Sequence, residues 1–342
     1  MKKIVAVILL TLPVCLASAQ VSYNDSREDI LANIQWRKKS RAHIRSNNIT
    51  SMQLFAYKGT NPVGSLTNEW TFDKRGNTTD YFMHKHGKIK MHNIFTYDDS
   101  DRTTSNASYS ESGKLNWMSK ITYDKAGNVI EEDYYKKDPQ AIKTKTIKTY
   151  DSRNNITESK EFDGKGKLKD RVEYTYYDDG SKKQTIEYSG KGKVLQLWNF
   201  DCNPVGKLQA AKFKDTNKIC VRFETDKDGN PIKVKEEYLG GEGLFGKTYR
   251  NVTKYDKNND MLDDAWYKLN GKLISHWSES YNAAGKMTES IIYKGGTQEI
   301  FYKNTYTYDN NDNIAESVFY KKSKLNAIWK YVYASALASP GK

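Results

Sequence analysis

The stretch I-T-Y-D-K-A-G-N-V-I-E-E-D-Y-Y, from Ile121 to Tyr135, decides the fold of this chain. An aromatic residue is followed by Asp, two variable positions, Gly-Asn and a run that ends in further aromatic residues. Asp, Gly and Asn are the residues that tight turns favour, whereas Tyr, Val and Ile favour strands. The stretch therefore predicts one β-hairpin: a strand, a tight turn and a returning strand.

The same pattern occurs in ten copies along the chain. Successive copies are 23 to 30 residues apart, and a nearly fixed period is the sequence signature of a repeat architecture. We therefore predict an all-β fold in which residues 49–334 form about ten antiparallel hairpins in a long coiled meander sheet. The copies begin at Phe72, Tyr97, Tyr123, Tyr150, Tyr177, Phe200, Thr225, Tyr255, Tyr281 and Tyr308.

The residue after each of these positions is Asp in nine copies and Asn282 in the other. An Asp at the first corner of a type I turn accepts a hydrogen bond from the backbone two residues later, and a Gly three residues later supplies the positive φ that ends the turn. Gly127 fills that position in the quoted stretch, and Asn154 fills it in the next copy. We predict structural, turn-forming roles for Asp73, Asp124, Asp151, Asp226, Asp256 and Asp309.

Counting outward from the turn as in a regular hairpin gives the sheet one aromatic face and one mostly polar face. Tyr123 then faces Val129, and Trp117 faces Tyr135. Aromatic rings on a broad surface suit stacking on sugar rings, although packing within the aromatic face is the alternative for each of them. The candidate binding residues are Trp117, Trp198, Trp266 and Trp277, of which Trp266 is predicted on the opposite side from the others.

A second acidic column occurs seven residues after the turn position in six copies. The regular register places Lys148 opposite Glu158, which indicates cross-strand charge pairing, and it places Glu279 opposite Glu289, for which a Lys on the next hairpin is the one compensating charge. A glycosidase carboxylate pair and a ladder of calcium sites are the alternatives. The column consists of Asp80, Glu131, Glu158, Asp263, Glu289 and Glu316.

Residues 1–19 are typical of a secretory signal peptide. Two Lys residues precede an apolar run over 4–16, and small residues at 17–19 supply a cleavage site. The run is shorter than the roughly 20 residues of a membrane span, and no later segment approaches one. We predict an exported mature chain beginning at Gln20, located in the periplasm, on the outer surface or outside the cell; lipidation at Cys15 is the alternative.

Residues 20–48 change to a helical period. Ser26 and Asp29 have the spacing of a capping box, and an apolar stripe is surrounded by Arg and Lys. This segment is predicted to be the single long helix, acting as a cap over the first strand of the repeat array. Binding to a membrane surface is the alternative for such a basic amphipathic helix. Residues 335–342 are predicted to form a flexible tail.

The net charge of +13 is spread thinly over the repeats. It indicates either attraction to anionic partners or Lys residues that keep sheet edges from aggregating. Nucleic acid is not expected as a partner of an exported protein.

Cys202 and Cys220 remain after cleavage of the signal peptide. The hairpin count places them too far apart for an undistorted disulfide, so whether they are bridged stays open.

One catalytic motif matches by letter. Residues 241–248 satisfy G-x-x-x-x-G-K-T, but a repeat strand follows where a phosphate-binding loop needs a helix, so we interpret the segment as a Gly-rich hairpin loop. The five His residues lack the spacing of a metal site, and His84 and His86 are interpreted as a solvent-facing pair. No cofactor, metal or catalytic residue is predicted.

The copies at 123–135 and 308–320, with their Tyr-Asp, Gly-Asn or Asp-Asn, and terminal aromatic positions, resemble the YD repeats of bacterial RHS-type and wall-associated proteins. The resemblance covers roughly residues 65–333, and MORN-like repeats are a more distant likeness. It implies extended, coiling antiparallel sheets, an exported location, and roles in binding, adhesion or encasing a toxin. A coiled sheet, an open sheet and a five-bladed propeller remain as alternatives for the overall arrangement.

Two classes of function fit these observations. The first is a non-enzymatic exported binding or scaffold protein for a glycan, a cell-envelope component or another protein. The second is a glycan-active hydrolase that uses the acidic column. A repeat-type antitoxin or immunity protein is a further alternative.

Overall fold

A computed structural model describes residues 27–58, 63–178, 182–199, 217–225, 231–239, 249–258, 260–268 and 270–335. The predicted all-β class is confirmed, with a single helix near the N-terminus, α1 (Arg27–Ser46). No helix in these ranges is long and apolar enough to cross a membrane. The strands are β1 (Ile49–Lys58), β2 (Ser65–Phe72), β3 (Thr78–Lys85), β4 (Lys88–Tyr97), β5 (Thr103–Ser110), β6 (Leu115–Tyr123), β7 (Val129–Lys136), β8 (Ile142–Tyr150), β9 (Ile156–Asp163), β10 (Leu168–Tyr176), β11 (Lys182–Ser189), β12 (Val194–Asn199), β13 (Asn217–Thr225), β14 (Pro231–Leu239), β15 (Tyr249–Tyr255), β16 (Met261–Lys268), β17 (Leu273–Tyr281), β18 (Met287–Tyr293), β19 (Ile300–Tyr308), β20 (Ile314–Lys321) and β21 (Lys324–Ser335).

Consecutive strands pair into one antiparallel meander sheet. The exception among the described strands is β12, which meets β13 in a short parallel contact from Trp198 to Asn217 and from Asn199 to Lys218. β1 pairs with β2 on one side and with β21 on the other, from Lys58 opposite Ala327 to Ile49 opposite Ser335. The sheet therefore curls until its first and last strands meet, and it does not divide into the separate blades of a propeller.

The turn after each copy has the predicted chemistry. In the turn at Asp151, the carboxylate accepts hydrogen bonds from the backbone N–H groups of Arg153 (2.9 Å) and Asn155 (2.8 Å), and the Asn155 side-chain amide donates to its second oxygen at 2.9 Å. Asn154 has φ 62°, as predicted for this position. Side-chain hydrogen bonding of the same kind holds the turns at Asp73, Asp124, Asp256 and Asp309, whereas Asp226 lies outside the described residues.

The register beyond the turn differs from the prediction by one residue. Tyr123 faces Val129 as expected, but the next pair is Thr122 and Glu131, so Trp117 faces Lys136 and not Tyr135. Ile130 is an extra residue on the returning strand, a β-bulge, and a shift of one residue moves every later side chain to the other face. The same shift follows the turns after Phe72, Tyr97, Tyr150, Tyr255, Tyr281 and Tyr308.

The fifth copy begins one residue earlier than predicted. Tyr176, and not Tyr177, pairs with Lys182 at the first position after the turn. Tyr177 therefore takes the place that Asp has in the other copies. The Asp178 that follows Tyr177 favoured the predicted alignment, and the strand pairing shows that Tyr176 holds the position instead.

In most of the described repeats, the Tyr at the end of the strand links that repeat to the one before it. The Tyr150 hydroxyl donates to the Val129 carbonyl at 2.7 Å, and burial raises the pKa of Tyr150 to about 12. The accepting residue is the first one after the preceding turn. The two residues of the Tyr-Asp dipeptide thus stabilise different turns. The Asp carboxylate accepts hydrogen bonds within its own turn, and the Tyr hydroxyl donates one to the residue after the preceding turn. Equivalent bonds are donated by Tyr97, Tyr123, Tyr176, Tyr308 and Tyr333.

Helix α1 lies on the same face of the sheet as these Tyr residues. The backbone carbonyl of Arg41 contacts the turn at Gly76, and His43 Nε2 lies 2.7 Å from Asn313 Oδ1. The first of these turns joins β2 to β3, and the second joins β19 to β20. The helix therefore bridges the place where the two ends of the meander meet. We call the face that carries the helix and the turn Tyr residues the inner face, because the sheet curls around it.

A hydrophobic core lies at this meeting of the sheet ends. Ile44 of the helix packs into it, which agrees with the predicted role of the helix as a cap. Burial of the Arg37 side chain lowers its guanidinium pKa, and the like charge of Arg41 adds to this effect. The buried members of the core are Ile44, Ile49, Met52, Leu54, Trp70, Phe72, Ile314 and Tyr331.

Replacement of Asp151 by Ala is expected to lower the free energy of unfolding by about 1 kcal/mol, as the loss of a local cap does. The hydrogen bond from Asn155, together with the backbone bonds, lowers the pKa of Asp151 below its ordinary value. Because the folded-state pKa is the lower one, this stabilisation is complete above the ordinary Asp range and is lost as the pH falls below about 4. Urea unfolding at pH 7 and pH 3 measures both effects. A variant that loses as much stability at pH 3 as at pH 7 would contradict the assignment.

Candidate functional site

The inner face is arranged in three layers that run across the strands. The first layer, at the helix end, consists of the turn Tyr residues. The second layer consists of small polar side chains that are almost fully buried between the larger ones, since alternate residues of each strand share a face. Ser119 and Asn106 face each other across β5 and β6 in this layer, as do Ser290 and Asn304 across β18 and β19. The third layer, towards the opposite end of the strands, carries Trp rings and carboxylates.

Trp266 and Trp277 are neighbours in the third layer. Trp277 lies directly opposite Asp264 across β16 and β17, and Trp266 follows two residues after Asp264 on the same face. The Trp266 indole N–H donates to Asp264 Oδ2 at 2.9 Å, and the Trp277 indole N–H donates to the Ser290 hydroxyl at 3.1 Å. Both polar edges are therefore bonded to the sheet itself, and what the half-buried rings present is apolar surface.

The prediction that Trp266 lies on the opposite side from the other candidates was wrong. The register shift between Lys254 and Tyr255, immediately after the turn, moves Trp266 to the inner face. Trp117 also lies on the inner face, opposite Ser108, with its ring 6.4 Å from that of Tyr134. Trp198 is opposite Thr185 in the pairing of β11 and β12, and its side chain lies outside the described residues.

The aromatic surface extends from the two Trp residues towards β21. Ile292 faces Trp277 on one side and Tyr302 on the other. The Tyr302 ring is 5.3 Å from that of Phe319, which is 5.7 Å from that of Trp329. We call this set the aromatic arc: Trp266, Trp277, Ile292, Tyr302, Phe319 and Trp329. Sequence reasoning missed its last four members, because the bulges that bring them to one face have no distinctive residue.

Carboxylates occupy the same layer on β9, β10 and β11. Asp170 faces Glu161, and Glu187 faces Val172, the next inner-face residue on the strand of Asp170. We call Glu161, Asp170 and Glu187 the acidic arc. Burial raises the pKa of Asp170, as does the charge of Glu161; burial and then the charge of Asp170 raise the pKa of Glu187. None of these three residues belonged to the acidic column seen in the sequence.

That column lies on the outer face, and each of its acids meets a His, Lys or Arg side chain on the next strand. Asp80 bonds His92 at 2.9 Å, and Asp263 bonds His276 at 2.6 Å. Burial alone would raise the pKa of Asp80, but hydrogen bonds from His92 and two Thr hydroxyls lower it. The other pairs are Glu131 with Lys145, Glu158 with Arg171, Glu289 with Lys303, and Glu316 with Lys330.

The predicted facing pairs within the column were wrong for the same reason as the aromatic register. Lys148 faces Ser159, and Glu158 faces Thr149. Glu279 faces Ser290 on the inner face, so it does not oppose Glu289. Acids of the column do pair with charges on a neighbouring strand, as predicted. The partner lies on the strand that follows the acid in the chain, and not on the strand that precedes it.

Other candidate sites can be located only in part. No group of three or more His, Cys, Asp or Glu residues in the described ranges is arranged to hold a metal ion. Cys220 faces Glu236 in β14, whereas Cys202 and the Gly-rich segment 241–248 lie outside the described residues. The predicted signal peptide, residues 1–19, and nearly all of the predicted tail lie outside them too.

Comparison with known proteins gives a family and a few distant structures. A family model described as an uncharacterised protein matches residues 66–237, which is 172 of the 342 residues. No curated protein matches the chain. Because the matching family is uncharacterised, the YD-repeat resemblance stays a prediction.

Three solved structures resemble the chain at low similarity. A crystal structure of TcdB2-TccC3-Cdc42 has a TM-score of 0.29 and 9% identity, covering 83% of this chain and 18% of that one. A Photorhabdus luminescens Tc holotoxin pore has a TM-score of 0.29 and 10% identity, covering 81% and 17%. A porin-like protein from Bacteroides uniformis has a TM-score of 0.30 and 10% identity, covering 84% and 98%. The chain thus spans less than a fifth of each toxin chain.

Proposed function

We propose that this chain, which belongs to the family of uncharacterised proteins matched at residues 66–237, is an exported, non-enzymatic module that binds a glycan on the inner face of its sheet. The observation that carries the proposal is the pair Trp266 and Trp277. Their indole N–H groups are already bonded to Asp264 and Ser290, so the rings offer flat apolar surface to a ligand. A sugar ring has an apolar C–H face of matching shape, and aromatic rings suit it for that reason.

The surroundings of the pair support the proposal. The aromatic arc continues over neighbouring strands, which suits an extended ligand with several rings. Carboxylates on the acidic arc supply hydrogen-bond acceptors for hydroxyl groups. Ligand sites of this kind combine apolar walls with a few placed polar groups.

The surroundings of the acidic column favour the binding proposal over the hydrolase alternative. The acids of the column are on the outer face: four of the six are ion-paired with Lys or Arg of the following strand, and the other two contact a His there. Cross-strand contacts of this kind give the column a structural role in the sheet. We therefore favour binding without turnover.

Replacement of Trp266 and Trp277 by Ala, singly and together, is expected to weaken glycan binding. Loss of an aromatic contact of this type costs about 1 kcal/mol or more, so each single variant should bind at least fivefold more weakly. A glycan array identifies the ligand, isothermal titration calorimetry measures its affinity, and chromatography of the recovered glycan tests for cleavage.

Tyr267→Ala is the matched control. Tyr267 follows Trp266 directly in the sequence but lies on the outer face, beneath the guanidinium of Arg250. It should leave the affinity unchanged. An equal loss of glycan affinity in the control and in the Trp variants would contradict a binding site at the two Trp residues. Release of shortened glycan would contradict binding without turnover.

A further inference from the structure

The acidic arc and the aromatic arc lie at similar depths in the sheet. Asp170 precedes the turn Tyr176 by six residues on β10, and Trp266 lies opposite Asn251, which precedes the turn Tyr255 by four residues on β15. At about 3.3 Å per residue they are roughly 20 Å and 13 Å from the helix end of the strands. The helix that covers that end therefore does not stand between them.

The two arcs lie on different strands of the sheet, and the indoles of Trp266 and Trp277 are five to eight strands from the acidic arc. The acidic arc occupies β9 to β11 and the aromatic arc β16 to β21, in a described sheet whose strand 1 pairs with strand 21. A circuit of this many strands measures about 100 Å at roughly 4.8 Å per strand, so opposite walls are about 30 Å apart. A ligand that stacks on the indoles and also reaches the carboxylates must be several sugar rings long.

The acidic arc carries excess negative charge. Lys169 is the single cation that bonds to it in the described chain, and its ammonium pairs with Glu161. Asp170 and Glu187 form no ion pair or hydrogen bond there. Burial is the main cause of their raised pKa values, and a cation placed beside the two carboxylates would stabilise their charged form.

We propose that the glycan bound by this chain carries free amino groups, as an oligosaccharide of glucosamine units does: its rings stack on the aromatic arc while its ammonium groups pair with Asp170 and Glu187. This inference rests on the proposed function, since it names the class of glycan for the same inner face. An ammonium group supplies both the charge and the hydrogen-bond donors that the two carboxylates lack. A neutral or N-acetylated sugar supplies no charge, and an anionic one would be repelled.

The test compares three hexasaccharides with the full chain: the glucosamine hexamer, its fully N-acetylated form and the unsubstituted glucose hexamer. Titration calorimetry at pH 6, where a free amine is protonated, is expected to show at least tenfold tighter binding of the glucosamine hexamer. That preference should shrink as salt is added, because screening weakens charge pairing. In Asp170→Asn and Glu187→Gln the preference should be lost while binding of the two uncharged hexamers is retained.

Glu289→Gln is the matched control, because Glu289 is an acid of the outer face that is already paired with Lys303. It should keep the full preference. If the uncharged hexamers bind the unchanged chain as tightly as the glucosamine hexamer, this inference is overturned and the proposed function survives. If none of the three binds, both fall. A hexalysine peptide that binds as tightly, with no loss in Trp266→Ala, would show that charge alone is recognised and would likewise overturn the inference.

Discussion

Replacement of Trp70 by Ala is expected to lower the free energy of unfolding by about 3–5 kcal/mol, the usual cost of removing a large buried aromatic side chain. Trp70 is 2% exposed and lies between Met52 on β1 and Tyr81 on β3, with its ring 5.3 Å from that of Tyr81. The cavity would open in the core where β1 joins β2 to β21, so the loss should separate the two ends of the sheet.

Urea unfolding measures the loss, and hydrogen exchange locates it. Amides of β1 and β21 should lose protection first, because β1 has no other partners in the described sheet. Trp117→Ala removes the same side chain at a half-buried position outside this core and should cost clearly less. An equal loss of unfolding free energy in the two variants would show that the core at the sheet ends contributes no more to stability than the rest of the sheet.

Replacement of Gly76 by Ala is expected to destabilise the chain by about 2–5 kcal/mol, because two penalties add. The residue has φ 83°, which an L side chain rarely adopts, and its Cβ would lie 2.5 Å from the backbone carbonyl oxygen of Arg41. The helix C-terminus must move to make room. We expect the helix to undock from the turn and its exposed residues Lys38 and Lys39 to be cleaved by trypsin several-fold faster.

Gly127→Ala separates the two penalties. Gly127 occupies the same turn position with φ 92°, and the nearest atom to a Cβ there is the flexible end of Arg102 at 3.4 Å. It should cost about 1–2 kcal/mol for the strained backbone alone and leave trypsin cleavage of the helix unchanged. If both variants expose the helix equally, the contact between Arg41 and Gly76 does not hold it.

The hairpins and their turns were predictable from the sequence because their interactions are local. Asp151 bonds to groups two and four residues later, so the residues that make the turn stand together in the chain. The helix was predictable in the same way, from its own period and charges. A candidate site on an aromatic face was likewise visible, since Trp266 and Trp277 stand out by residue type.

What the sequence by itself determined, then, was the repeat, its turn chemistry, the all-β class and the helix. Three things were decided only in the tertiary structure. The bulge that follows most of the described turns has no residue signature, yet by one extra residue it set which side chains share the inner face and moved Trp266 onto it. The pairing of β1 with β21 joins residues about 280 positions apart, and no local pattern encodes such a contact. The presence of Asp170, Glu187 and the aromatic arc on one inner face follows from both, because a register shift selects the face and the curl of the whole sheet turns that face inward.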